Sequence, residues 1–157
     1  MTVEGGQMTG PIKIEADRMD AWVGFLHAHA RIIKALADEL DKAGQVSFGT
    51  YDVLAQLSEA GGSLRHRDLL ERLVISQPGL SRKVERMESA GLVERKPDPA
   101  DGRGVIVRLT RAGRAALRAA AKVHMAGIDR EFGGRLSDDE AAVLATAFRR
   151  LATPPGD

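Results

Sequence analysis

The chain contains no cysteine. That absence excludes disulfides, thiolate nucleophiles, cysteine-ligated zinc and peroxide sensing through a thiol. Aromatic residues are scarce: four Phe, one Trp and one Tyr in 157 residues, so any place where they gather stands out. No apolar run approaches the ~20 residues needed to span a bilayer as a helix. The opening stretch, MTVEGGQMTG, lacks the basic-then-apolar order of a secretory signal, and the expected location is the cytoplasm. Enzyme signatures are missing too. There is no phosphate loop and no elbow serine, and Gly102-Arg103-Gly104 stands without the rest of a nucleotide fingerprint. The carboxylate pairs Asp17/Asp20 and Asp138/Asp139 fall at expected helix starts, where acids favour the helix dipole. Of the four histidines, His27 and His29 are two apart and point to different sides of a helix, and no acid cluster completes a metal site. The sequence therefore predicts no enzyme, no cofactor and no metal.

Charge is present but unevenly divided. The formal net charge is only +1. Residues 61–114 hold 12 Lys/Arg against 7 Asp/Glu, a net of +5, while the remainder holds 11 against 15, a net of −4. A segregated basic segment is the electrostatic footprint of phosphate binding.

The length suits one domain with a real core. Residues 1–14 are Gly-rich and irregular, the pattern of a mobile tail. Residues 15–45 read as a long helix from Asp17 to Lys42, with Trp22, Phe25, Leu26, His29, Ile32, Ile33, Leu36 and Leu40 on one face, ended by Gly44. Ser47 caps a second helix, from about Phe48 to Glu59, with Tyr51, Leu54 and Leu57 inward. A short strand at Ser63-Leu64 follows Gly61-Gly62, then a third helix from Arg65 to Leu73. Thr110 caps an alanine-rich fifth helix reaching about Phe132, and Ser137-Asp138-Asp139-Glu140 is a capping box opening a sixth that ends near Leu151.

The most informative stretch is residues 76–114. Ser76 caps a fourth helix, with Pro78 tolerated in its first turn. Leu80, Val84 and Met87 lie at i, i+4 and i+7, a buried stripe, and Gln77, Ser81, Arg82, Lys83 and Arg86 occupy the remaining surface. Gly91 ends this helix. Leu92-Val-Glu-Arg-Lys and Val105-Ile-Val-Arg-Leu then flank a Pro/Asp/Gly loop over 97–104, a long-looped hairpin. A helix for the major groove followed by a basic ribbon is a winged helix-turn-helix arrangement. The predicted fold is mainly α with a small β-hairpin wing. Its DNA-binding core spans 46–109, flanked by dimerisation helices over 15–45 and 110–153.

This segment resembles the MarR family of bacterial transcription regulators. The resemblance is carried by Ser81-Arg82-Lys83-Val84-Glu85-Arg86-Met87-Glu88, Ala90-Gly91-Leu92-Val93-Glu94-Arg95, Asp101-Gly102-Arg103-Gly104 and Leu109-Thr110-Arg111-Ala112-Gly113, with Tyr51-Asp52-Val53-Leu54 upstream. It covers roughly residues 17–151. Some relatives of that family sense oxidants through a cysteine, a route closed here. The resemblance implies a homodimer built through the terminal helices, double-stranded DNA as partner, and a pseudo-palindromic site. It also implies release by small aromatic acids or phenols bound between the dimer helices and the DNA-reading part.

Residues near the start of a recognition helix reach base edges, which selects Gln77 and Ser81 as base readers. Arg82 can contact guanine or phosphate, and Lys83 and Arg86 suit the backbone. By the resemblance, Arg86 pairs with Asp101 and braces the wing, so Arg86 has two alternative roles. Arg103 then projects from the wing tip, where a narrow minor groove favours arginine; Arg95 extends the basic surface. Asp98 reads as a turn former. For the aromatic ligand, the candidates are Trp22, Phe25 and His29 on the first helix and Tyr51 on the second, against the alternative that these residues simply pack the dimer core. The expected function is a repressor released by such a ligand; the alternative is an effector-independent DNA-architectural protein.

Overall fold

The structure, a computed structural model, describes residues 14–153. The tail expected over 1–14 lies outside this range apart from Ile14. Six helices and three strands follow in the order α1 (Ala16–Lys42), α2 (Phe48–Glu59), β1 (Ser63–Arg65), α3 (His66–Arg72), α4 (Gln77–Ser89), β2 (Val93–Asp98), β3 (Asp101–Leu109), α5 (Arg111–Glu131) and α6 (Asp138–Ala152), with a 3-10 turn at Gly133–Arg135. The mainly helical fold with its small antiparallel sheet is the one expected.

Helix boundaries follow capping chemistry. The side chains of Ser47, Ser76 and Thr110 each accept an N–H from the first turn of α2, α4 and α5. Ser137 and Glu140 form the complete capping box of α6. Each such cap contributes about 1 kcal/mol. Gly91 closes α4 at φ 72°, a conformation that disfavours any side chain with a Cβ. The α4–β2 turn is then locked from outside. Thr110 Oγ1 donates toward the Gly91 and Leu92 carbonyls, at 2.6 and 3.0 Å. Gly113 packs so closely that a Cβ there would collide with the Leu92 carbonyl. The end of the hairpin, the start of α5 and the end of α4 are thus one rigid joint.

The sheet has the order β1-β3-β2, all antiparallel, with Leu64 opposite Val107 and Lys96 opposite Ile106. The wing is tighter than expected. Strand pairing continues through Pro97↔Val105 to Asp98↔Asp101, with a bulge between Pro97 and Asp98, so the turn is Pro99-Ala100 rather than a loop over 97–104. Asp98 makes this possible: its Oδ1 accepts the Ala100 N–H at 2.9 Å, an Asx turn that reverses the chain in two residues. Pro97 is tolerated because β2 is an edge strand.

One apolar core holds α2, α3, α4 and the sheet together: Val53, Leu54, Leu57, Leu69, Leu80, Val84, Met87, Val93, Val107 and Leu109. The outer helices differ. On α1 only Leu36 and Leu40 are buried, and on α6 nothing is. The base of α1 is tied to α5 where Gly127 lets the helices approach; a Cβ there would lie 2.6 Å from Leu36 Cδ2. Ion pairs Arg31–Glu131 (2.6 Å) and Arg130–Glu39 flank that crossing. Among the described residues, no helix is long and apolar enough to cross a membrane.

Candidate nucleic-acid interface

Helix α4 turns about 100° per residue, so its polar side chains fan out into three directions. Leu80, Val84 and Met87 point into the core. Arg82 and Arg86 are exposed on the outermost side. Gln77 and Ser81 lie on the flank that faces the wing, where they line a groove of about 390 Å³ between α4, the start of α3 and the hairpin. Lys83 lies on the other flank. Its Nζ sits against Gly49 at the start of α2, within 2.7 Å of where a Cβ would be. The five residues expected on one surface therefore divide. Lys83 is half-buried and directed at α2, away from the wing. The sequence pattern separates buried from unburied positions but does not distinguish the two flanks of a helix, because flank identity depends on what packs beside it.

The far wall of the groove is the wing, and its anchor differs from the expected one. Asp98 is 4 % exposed and its Oδ2 lies 2.7 Å from Arg65 Nε on β1. Asp101 is exposed, and its Oδ1 accepts the Arg103 backbone N–H at 3.1 Å. Among the described residues Asp101 makes no ion pair with Arg86. Asp98, read from sequence as a turn former, is both the turn former and the acid that ties the wing to β1; Asp101 shapes the tip alone. The reason is the bulge after Pro97, which turns Asp98 inward beneath Arg65. The position of a bulge is not visible in residue spacing.

Arg95 is also engaged. Its guanidinium pairs with Glu88 at 2.7 Å and lies 3.6 Å from Glu85, and its backbone N–H donates to Glu88 Oε1. The hydrogen bonds from Arg95 hold the Glu88 carboxyl below its usual range and push the Arg95 guanidinium up. Arg95 thus clamps β2 to α4 and is partly neutralised. Arg82, Arg86 and Arg103 take part in no ion pair among the described residues, and all three are exposed.

Two residues not singled out from sequence belong to the same groove. His66 begins α3, and its Nε2 lies 3.4 Å from Ser81 Oγ; Arg67 lines the groove beside it. The run Arg65-His66-Arg67 was the available signal, a basic triplet at a helix start.

The aromatic candidates separate into two groups. Trp22, Phe25 and His29 stack along α1 with ring centroids 6.0 Å apart, and Phe148 of α6 meets Phe25 at 5.9 Å. Trp22 is 55 % exposed and Phe25 43 %. Tyr51 is not with them. It faces His124 of α5 at 4.4 Å, and Phe48 covers the same imidazole at 5.7 Å. Among the described residues, His124 Nδ1 is buried without a hydrogen-bond partner. Burial holds this imidazole below the usual histidine range, against the nearby carboxylates of Asp52 and Glu39. Burial also raises the carboxyl of neighbouring Asp52 and the hydroxyl of Tyr51. Among the described residues, no group of three or more His, Asp or Glu is placed to hold a metal.

Known proteins share both the sequence and the architecture. The model of the MarR family matches residues 44–104, from the approach to α2 through the wing. The transcriptional regulator HosA of Escherichia coli O111:H- is 35 % identical over 101 residues, 64 % of this chain and 73 % of HosA. AbsC, a MarR family transcriptional regulator from Streptomyces coelicolor, superposes with a TM-score of 0.81 at 29 % identity, covering 90 % of this chain and 96 % of AbsC. Sco3205 from the same organism, a MarR family regulator solved in complex with DNA, gives 0.82 at 26 % identity, covering 90 % and 89 %. The helix-and-wing groove, its sequence and its architecture agree: the chain belongs to the MarR family of DNA-binding transcription regulators, and it is not an enzyme.

Proposed function

We propose that the protein is a homodimeric repressor that binds a pseudo-palindromic site on double-stranded DNA and releases it when a small aromatic acid or phenol binds. The observation that carries this reading is the shared face of α4 and the wing. Three exposed cations, Arg82, Arg86 and Arg103, form no ion pair among the described residues, while the groove beside them presents Gln77 and Ser81. On this reading α4 enters the major groove, with Gln77 and Ser81 at base edges and Arg82 and Arg86 at phosphate or guanine. Arg103 reaches the flanking minor groove. Lys83 and Arg95 support the helix from its two flanks. The working compartment is the cytoplasm, where the DNA is.

The dimer is supported by the unpartnered apolar surface. Val143 is 68 % and Leu151 75 % exposed on α6, and Trp22, Val23, Phe25 and Leu26 are open on α1. A surface of this kind is unfavourable in water, and a second copy of the same helices covers it with two-fold symmetry matching a palindromic site. Trp22, Phe25 and His29 belong to that interface in this reading. The ligand is assigned to the place at which α2 meets α5, where Tyr51, Phe48 and His124 Nδ1 offer aromatic faces and one polar atom. Lys83 of α4 reaches the start of α2 at Gly49, close to that place.

The test uses a duplex enriched by the protein from a random pool. Binding through ~6–10 phosphates predicts a loss of about 10³–10⁵-fold in affinity between 50 and 200 mM salt. Salicylate and phenol are then added: the reading expects weaker DNA binding together with a higher melting temperature. No effect of either compound on DNA binding would favour the effector-independent architectural alternative.

A further inference from the structure

The groove between α4 and the wing contains a single histidine. Of the four histidines, His27 and His29 are on α1 and His124 is on α5; only His66 lines the groove. Its imidazole is paired with Ser81 Oγ, the residue assigned to base reading. Charged groups face it from every side: Arg65 on β1 with its partner Asp98, Arg67 on α3, Glu85 on α4, Arg95 on β2, and Asp101 and Arg103 at the wing tip. Most of these charges are already matched. Arg65 pairs with Asp98, Arg67 with Asp68, and Arg95 with Glu85 and Glu88.

We propose that His66 is a proton-linked DNA contact: its imidazole takes up a proton when a DNA phosphate enters the groove between α4 and the wing, so DNA binding tightens as pH falls. This rests on the DNA-binding reading above and adds a residue and a thermodynamic link to it.

In the free protein, burial and the like charge of Arg95 both disfavour the imidazolium, holding His66 below the usual histidine range. A phosphodiester oxygen brings the opposite charge, which favours the imidazolium. The folded, DNA-bound imidazole therefore has the higher pKa and the free one the lower. Between those two values the bound state holds one more proton, supplied by solvent, and affinity rises as pH falls; above both values the link is silent. The proton also changes Ser81. Neutral Nε2 can accept the Ser81 O–H, whereas the imidazolium Nε2–H can only donate to Ser81 Oγ. Protonation thereby frees the Ser81 hydroxyl to donate to DNA. With one groove per half-site, a dimer takes up as many as two protons.

Fluorescence-anisotropy titrations of the full chain with the enriched duplex, at constant ionic strength from pH 8 to pH 6, test this directly. At pH values below both pKa values, each unit by which DNA raises the His66 pKa tightens binding about tenfold per half-site. Wild type is expected to gain at least about tenfold, His27→Asn to keep that gain, and His66→Asn to lose it, its affinity changing little between pH 8 and pH 6 whatever its absolute level. Calorimetry of the wild type in buffers of different ionisation enthalpy, which does not depend on any variant folding, should show net proton uptake at pH 6.5. A pH-independent wild-type affinity with zero proton uptake would overturn the inference and leave the DNA-binding reading standing, and so would a His66→Asn variant that retains the full gain. Failure to bind any duplex at any pH would overturn the DNA-binding reading and this inference with it.

Discussion

The unit from α2 to β3 and the terminal helices α1 and α6 are made of similar residues but end in opposite states. In the first, ten apolar side chains are shielded from water by one another. In the second, α6 buries nothing and α1 is exposed from Ala16 to Arg31. The first is closed within one chain. The second is left open, and in the proposed dimer the residues that cover it are copies of themselves. The proposed DNA-reading surface is thereby held within a single chain, whereas in the proposed dimer the distance between two such surfaces is set by α1, α5 and α6.

Breaking each half in turn should give different failures. The largest effect is expected in the closed unit. Leu54 is fully buried, and Leu54→Ala should cost about 2–5 kcal/mol through lost transfer energy and a cavity, read by denaturant unfolding. The corresponding change in the open half is Val143→Asp on α6. It places a charge on the apolar face and should weaken self-association about a hundredfold, a loss of roughly 3 kcal/mol. Sedimentation would show monomer, while circular dichroism keeps its helix signal because Val143 is exposed in the single chain. Loss of helix on Val143→Asp would mean that α6 belongs to the closed unit after all.

Two smaller effects sharpen the picture inside the wing. Asp98→Ala removes the partner of Arg65 and the Asx turn together, and should cost roughly 1–3 kcal/mol of stability and lower DNA affinity. Asp101→Ala removes only an exposed acceptor, and its melting temperature should stay close to wild type. Equal destabilisation by both, measured by thermal melts, would return the bracing role to Asp101. Smallest of all, Arg103→Ala should leave folding untouched and lower the salt dependence of DNA binding by about one ion; an unchanged slope would remove Arg103 from the interface.

The element order was legible in the sequence because caps and periodicity are local. Ser47, Ser76, Thr110 and Ser137 each mark a helix start that the structure reproduces. The short strand at Ser63 was readable from the glycines before it, and its pairing with β3 follows from the fold. Relations between distant elements were not legible. The bulge that swings Asp98 under Arg65 depends on β1 lying beside β3. Lys83 and Ser81, two residues apart, part company because α2 packs on one flank of α4 and the wing on the other. Tyr51 was grouped with Trp22 because both are aromatic and inward in pattern, yet the crossing of α5 at Gly127 brings His124 to Tyr51 and leaves Trp22 at the open end of α1. Spacing along one helix says which side faces inward, and only packing says against what.

The central claim is that two copies of this chain, joined through the terminal helices, present two α4–wing surfaces to one DNA site. The mass of the complex formed with the enriched duplex, measured by light scattering behind size-exclusion chromatography, tests it most directly. With a chain mass of 16.9 kDa, the account predicts two chains per duplex and a protein that is already dimeric without DNA. A complex holding a single chain, or a free protein that stays monomeric at the concentrations where it binds DNA, would contradict it.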